Sequence, residues 1–210
     1  GTLTFTTTHF SRYAVAYVHK SFSDLQDAEW ARKPIEIMAS KGIVNGTAAN
    51  TFSPQMNITR ADYLVLLIKT LGLRAEFAGN FDDVKQGVHY YEAVGIAKKL
   101  GIALGAGDNR FHPEDPISRE DMMTLTARAL EKHNGLQLVS NSSFLDRFSD
   151  KEDVSIYAVG SMATLVKEGL ITGSGNRLNP RTNTTRAEAV VFLYKYQVRI
   201  SPKTGSILQG

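Results

Sequence analysis

Arg60, Arg119 and Arg186 occupy one place in a recurring pattern, each six residues after a proline (Pro54, Pro113, Pro180) and directly after a hydroxyl residue. The surrounding stretches are Ile58-Thr59-Arg60-Ala61-Asp62, Ile117-Ser118-Arg119-Glu120-Asp121 and Thr184-Thr185-Arg186-Ala187-Glu188. Thr59, Ser118 and Thr185, each followed three residues later by an acid, resemble capping boxes, which places every arginine at the first position of a helix. A cation there opposes the positive end of the helix dipole, at a cost of roughly 0.3 to 1 kcal/mol when exposed. Repeating that placement three times suits the reception of an anion, because free backbone N–H groups, a hydroxyl and a guanidinium fork then face one acceptor. A carboxylate fits better than a chain of phosphates, since no glycine-rich cradle of the P-loop kind is present.

A plainer reading stands beside this one: each arginine pairs with a structural acid, Asp24, Asp83 or Asp150, and locks neighbouring units together. The same three aspartates also fit as caps of a preceding helix. Trp30 and Tyr157, at matching positions in the pattern, offer a flat face to a sugar ring or belong to the core. His89 takes that place in the middle copy. Gly46, Gly105 and Gly173 either let a ligand approach the backbone or serve a turn that needs a left-handed residue.

These residues belong to three copies of one longer pattern. Each opens with Phe22-Ser23-Asp24, Phe81-Asp82-Asp83 or Phe148-Ser149-Asp150. Then follow Gly42-Ile43-Val44-Asn45-Gly46, Gly101-Ile102-Ala103-Leu104-Gly105 and Gly169-Leu170-Ile171-Thr172-Gly173. The periods are 59 and 67 residues, the second lengthened by a polar insertion near 139–143. Apolar residues at helical spacing, such as Ala31, Ile35, Met38 and Ala39, precede the first glycine of each pair, which then ends a helix in a left-handed residue. A second stripe, Leu64, Leu67, Ile68 and Leu71 in the first copy, follows each arginine. One helix pair cannot cover its own stripes, so an all-α domain of three helix-loop-helix repeats packed about a pseudo-threefold axis is predicted, a trimeric prism within one monomer. Its units span 22–80, 81–147 and 148–197. Residues 1–21 alternate around Leu3, Phe5, Phe10, Tyr13, Val15 and Tyr17 and read as a β-like remnant of a preceding domain or linker, and 198–210 reads as a tail.

Composition narrows the function. The chain has 210 residues, a net charge of only +3, 21% charged residues and no cysteine. Spread-out basic residues argue against nucleic acid, and no apolar run is long enough to span a membrane. Five histidines lack metal-ligand spacing, and the acids near Asp108 lack that of a calcium loop. No cofactor is expected.

The three ordered copies resemble a tandem of S-layer homology (SLH) domains over about 175 of the 210 residues. The family's hallmarks are an opening Phe-x-Asp, a central Gly-Ile/Leu-x-x-Gly and a helix beginning Thr-Arg-Ala-Glu. Thr185-Arg186-Ala187-Glu188 matches the last completely, Thr59-Arg60-Ala61-Asp62 shortens the acid, and Ser118-Arg119-Glu120-Asp121 departs further. The resemblance implies a secreted, non-catalytic module in the cell wall or S-layer of a Gram-positive bacterium. Such a module binds secondary cell wall polysaccharide at a pyruvylated N-acetylmannosamine (ManNAc) terminus. It implies Arg60, Arg119 and Arg186 as partners of the ketal carboxylate, Trp30 and Tyr157 as sugar contacts, and Gly46, Gly105 and Gly173 as groove backbone. Glu120, a carboxylate directly after Arg119, is expected to weaken or neutralise the second site. Two alternatives remain: a helical-repeat module for protein–protein contact in S-layer assembly, and a carbohydrate-active enzyme, for which no paired carboxylates stand out.

Overall fold

The computed structural model describes residues 18–200, so the expected strands before residue 18 and the tail from 201 lie outside the described residues. Six α-helices account for the regular structure there: α1 (Glu29–Ser40), α2 (Arg60–Leu71), α3 (Tyr91–Lys99), α4 (Arg119–Asn134), α5 (Ile156–Lys167) and α6 (Arg186–Ile200). Single 3-10 turns precede α1 and α5, and another, Ser142–Leu145, lies in the polar insertion. The fold is all-α, with three helix-loop-helix repeats.

Each first helix stops for the same reason. Gly42, Gly101 and Gly169 adopt φ of 71°, 71° and 66°. The residue after each glycine donates its N–H back into the helix: Ile43 to Met38, Ile102 to Ala97 and Leu170 to Leu165. This closes the last turn and folds an apolar residue onto it.

The helices pair between repeats rather than within them. The first helix of each unit packs on the second helix of the unit before it: α3 on α2, α5 on α4 and, closing the cycle, α1 on α6. The second helices meet centrally, α2 touching both α4 and α6. This explains why α2 is apolar on several faces, with Ala61, Tyr63, Leu64, Leu66, Leu67, Ile68 and Leu71 all buried. Tyr63, fully buried, satisfies its hydroxyl against Thr126 Oγ1 at 2.6 Å.

On the axis the three pre-helix segments form a closed ring. Ile58 N–H donates to Thr184 O (2.9 Å), Thr184 N–H to Ile117 O (3.0 Å), and Ile117 N–H to Ile58 O (3.0 Å). Just beyond it, the first two amides of each second helix bond to carbonyls of the next unit. Arg60 and Ala61 reach Asp115 and Pro113; Arg119 and Glu120 reach Thr182 and Pro180; Arg186 and Ala187 reach Met56 and Pro54. The third amide goes to the cap. Thr59, Ser118 and Thr185 accept from Asp62, Asp121 and Glu188 at 3.1, 3.1 and 3.2 Å. The expectation of free N–H groups for an anion is therefore wrong: a buried helix end must satisfy its amides, and the neighbouring unit does so.

Candidate functional site

The aspartates hold turns. Asp24 accepts from the N–H groups of Phe52 (2.9 Å) and Ser53 (2.7 Å), Asp83 from Phe111 (2.9 Å) and His112 (2.8 Å), and Asp150 from Leu178 and Asn179 (both 2.8 Å). Ser53, His112 and Asn179 have φ of 59°, 57° and 52°, a conformation that non-glycine residues rarely adopt without support. Asp24, Asp83 and Asp150 are thus neither first-helix caps nor ion partners of the repeated arginines, as either expectation had them. The basic groups near two of them are Arg110, 4.0 Å from Asp83, and Arg177, 3.7 Å from Asp150. Burial pushes the Asp83 and Asp150 carboxyls up, but the paired backbone N–H groups outweigh it and hold both below the ordinary carboxylate value.

Each opening phenylalanine packs on the turn of its own unit's second glycine. A Cβ placed on Gly46, Gly105 or Gly173 would lie 2.7, 2.9 or 2.6 Å from Cε1 of Phe22, Phe81 or Phe148. Close packing thus requires these glycines, whatever else they do.

The three arginines differ in how far they are already engaged. Arg60 donates from Nε to Phe111 O (3.0 Å) and from Nη1 to Asp121 Oδ2 (2.9 Å), and lies 5.0 Å from the Phe111 ring centroid. Arg186 is 7% exposed and donates to Phe52 O (3.0 Å) and Asn45 O (2.8 Å) while covering the Phe52 ring. Arg119 is half-buried, and among the described residues its guanidinium makes no hydrogen bond and no ion pair within 4 Å. Leu178 stands where the other units carry Phe52 and Phe111, so the corresponding turn offers Arg119 no ring. Burial pushes its pKa down, and the field of Glu188 opposes that.

A groove of about 610 Å³ opens between the first two units. Arg60 of the first unit, the Gly105 turn, Ser118 and Asp121 of the second, and Tyr157 of the third all line it. Tyr157, 52% exposed, donates to Asp121 Oδ1 at 2.9 Å. Burial and the carboxylates of Asp121 and Glu120 push its hydroxyl pKa up. His89, the counterpart of Tyr157, contacts Asp62 Oδ1 at 2.8 Å, so the two positions face equivalent acids. Trp30 is 57% exposed on α1, the helix that packs on α6. Glu120 does not neutralise Arg119: its buried carboxylate accepts from Ser155 N (2.9 Å) and Ser155 Oγ (2.8 Å).

The length of the motif acid decides what it can serve. Glu188 reaches back to Thr185 N–H at 2.8 Å and completes a reciprocal box. Asp62 and Asp121 are one methylene shorter and turn outward, to His89 in one case and to Arg60 and Tyr157 in the other. Leu104 and Arg128 also line the groove and were not singled out in the sequence. A signal for Arg128 was present: a basic residue recurs nine places after each motif arginine, as Lys69, Arg128 and Lys195.

Comparison with known proteins adds the family. The S-layer homology domain model matches residues 21–64, 80–123 and 147–190. The chain is 37% identical over 196 residues to an amylopullulanase of Thermoanaerobacterium thermosulfurigenes, covering 92% of this chain and 10% of that protein. It is 34% identical over 176 residues to the exoglucanase XynX of Acetivibrio thermocellus, covering 83% of this chain and 16% of that protein. With the S-layer protein EA1 of Bacillus anthracis identity is 28% over 184 residues, 85% of this chain and 20% of EA1. The chain therefore spans a fifth or less of these relatives' lengths.

Proposed function

The chain belongs to the S-layer homology family, in three ordered copies, and from that premise we propose that it holds a surface protein on a Gram-positive cell wall. It does so by binding secondary cell wall polysaccharide, at an acidic pyruvylated N-acetylmannosamine terminus. One observation carries this reading: residues from three different units meet in one groove, with a motif arginine (Arg60), a motif glycine turn (Gly105) and an exposed aromatic (Tyr157). The groove they form, which Arg128 also lines, offers positive charge, a tight wall and a flat face, which is what an acidic sugar needs. Tyr157 in this groove and Trp30 on α1 are the sugar contacts, and Arg119 offers unspent donors in a neighbouring groove. Arg186, Gly46 and Gly173 shape the groove walls. Relatives that are S-layer proteins point to the cell surface.

The catalytic names among the relatives belong to much longer chains, and we assign this part anchoring rather than turnover. One charge-assisted contact contributes about 1.5 to 3 kcal/mol, and engagement of more than one groove by neighbouring polymer ends raises retention through effective concentration. The test is sedimentation of the purified chain with wall sacculi before and after extraction of the secondary polymer. Binding that disappears on extraction supports the reading. Equal binding to stripped sacculi overturns it.

A further inference from the structure

We infer that Arg128, outside the repeated motif, receives the acidic group of a saccharide in the groove between the first and second units. The inference rests on the wall-polymer reading and concerns which residue of that groove does the receiving.

The motif arginine of this groove is already committed. Arg60 spends Nη1 on Asp121 and Nε on Phe111 O, so an incoming carboxylate would have to compete with a carboxylate in place. Arg128 is in the opposite state. It lines the same groove from the middle of α4, half-buried, and among the described residues its one side-chain hydrogen bond is Nη1 to Ile102 O at 3.4 Å, close to the limit of such a bond. Among the described residues no carboxylate comes within 4 Å of it. A guanidinium carries five N–H donors; Arg128 spends one of them weakly on Ile102 O, and its remaining nitrogens are not closed off from solvent, so they stay open to a ligand in the groove. A bidentate carboxylate is the ligand that satisfies them.

The other charges lining the groove do not compete. Asp121 is held by Arg60 and Tyr157, and Asp115 lies at the exposed rim, 3.9 Å from His112. Burial pushes the Arg128 pKa down while Asp121, Tyr157 and Glu131 oppose it. Leu104, 66% exposed, and Tyr157 flank the groove with apolar surface for the C–H face of a sugar ring. Lys69 and Lys195, at the corresponding positions, are exposed instead.

The experiment is an amide NMR titration of the full chain with two probes: the methyl glycoside of N-acetylmannosamine carrying a pyruvate ketal, and the same sugar without it. The reporters are the amides of Leu104, Gly105 and Tyr157. The ketal sugar is expected to shift them, with affinity falling at least about tenfold in Arg128→Gln and less in Arg128→Lys. Unchanged amide positions elsewhere in the spectrum establish that each variant is folded. An Arg128→Gln titration like that of the unaltered chain overturns the assignment. Equal binding of the sugar lacking the ketal overturns it too, while leaving the groove a saccharide site. If the ketal sugar moves no amide in the unaltered protein, the wall-polymer reading fails and takes this inference with it.

Discussion

Arg60 of the first unit and Asp121 of the second meet at 2.9 Å, an ion pair that joins two repeats through the motif residues themselves. Its side chains are 16% and 29% exposed, so the pair is partly shielded from solvent. A double-mutant cycle of Arg60→Gln and Asp121→Asn, read by urea unfolding, is expected to give a coupling of about 1 kcal/mol. Additive single changes would mean the pair contributes no cohesion.

Arg119 and Arg186 share a motif position but differ in their partners. Arg186→Ala strands the Phe52 and Asn45 carbonyls and empties a buried site, so stability should fall by about 3 kcal/mol. Arg119→Ala should alter stability by less than about 0.5 kcal/mol and reduce retention on sacculi. Paired unfolding and sedimentation measurements on both variants separate the two roles.

Asp83 and Asp150 have folded-state pKa values below those of the unfolded chain. In acid the native state therefore binds fewer protons than the unfolded state, and their contribution, complete above about pH 4, is lost as pH falls through the folded value. Urea midpoints taken from about pH 6 down to about pH 2 should decline, and the decline should be shallower in Asp83→Asn and Asp150→Asn. The Asp150 side chain is only 2% exposed, so Asp150→Asn should also cost about 2 kcal/mol at neutral pH.

Gly101 and Gly173 both have positive φ, 71° and 75°, in different surroundings. A Cβ on Gly101 meets nothing within 4 Å, whereas on Gly173 it meets Phe148 Cε1 at 2.6 Å and Arg177 O at 2.7 Å. Thermal unfolding should show Gly101→Ala costing about 1 kcal/mol and Gly173→Ala at least about 3 kcal/mol.

Thr184 takes the axial place held by Ile58 and Ile117 in the other units. It is buried, and its hydroxyl has no hydrogen-bond partner among the described residues. Thr184→Val removes that hydroxyl at nearly constant shape and should raise stability by about 1 kcal/mol in urea unfolding. A loss of stability would show that the hydroxyl is satisfied.

The repeat and its helices were legible in the chain because helix starts, helix stops and apolar spacing are local matters, settled within about one turn of the residues that cause them. Gly42, Gly101 and Gly169 end helices as their positions indicated, and the buried stripes of α1 and α2 include the residues that periodicity selects. Asp24 and its counterparts were misread because their partners lie 28 and 29 residues away, as backbone N–H groups that no residue type announces. Glu120 was misread for a related reason. Adjacency to Arg119 along the chain suggested neutralisation, but successive helical residues point in different directions, and Glu120 is buried against Ser155.

What the sequence determined by itself was the count of units, their helix-loop-helix content and the identity of the arginines at each helix start. The tertiary structure alone decided that α1 closes on α6, that each helix start is satisfied by the next unit's carbonyls, and that Arg60, Arg119 and Arg186 end in three different states. The physical reason is one of range. Caps and periodicities act within a few residues, whereas the engagement of a guanidinium depends on acceptors brought to it by a neighbouring repeat, and one methylene in an acid or one ring in a turn is enough to change which acceptors arrive.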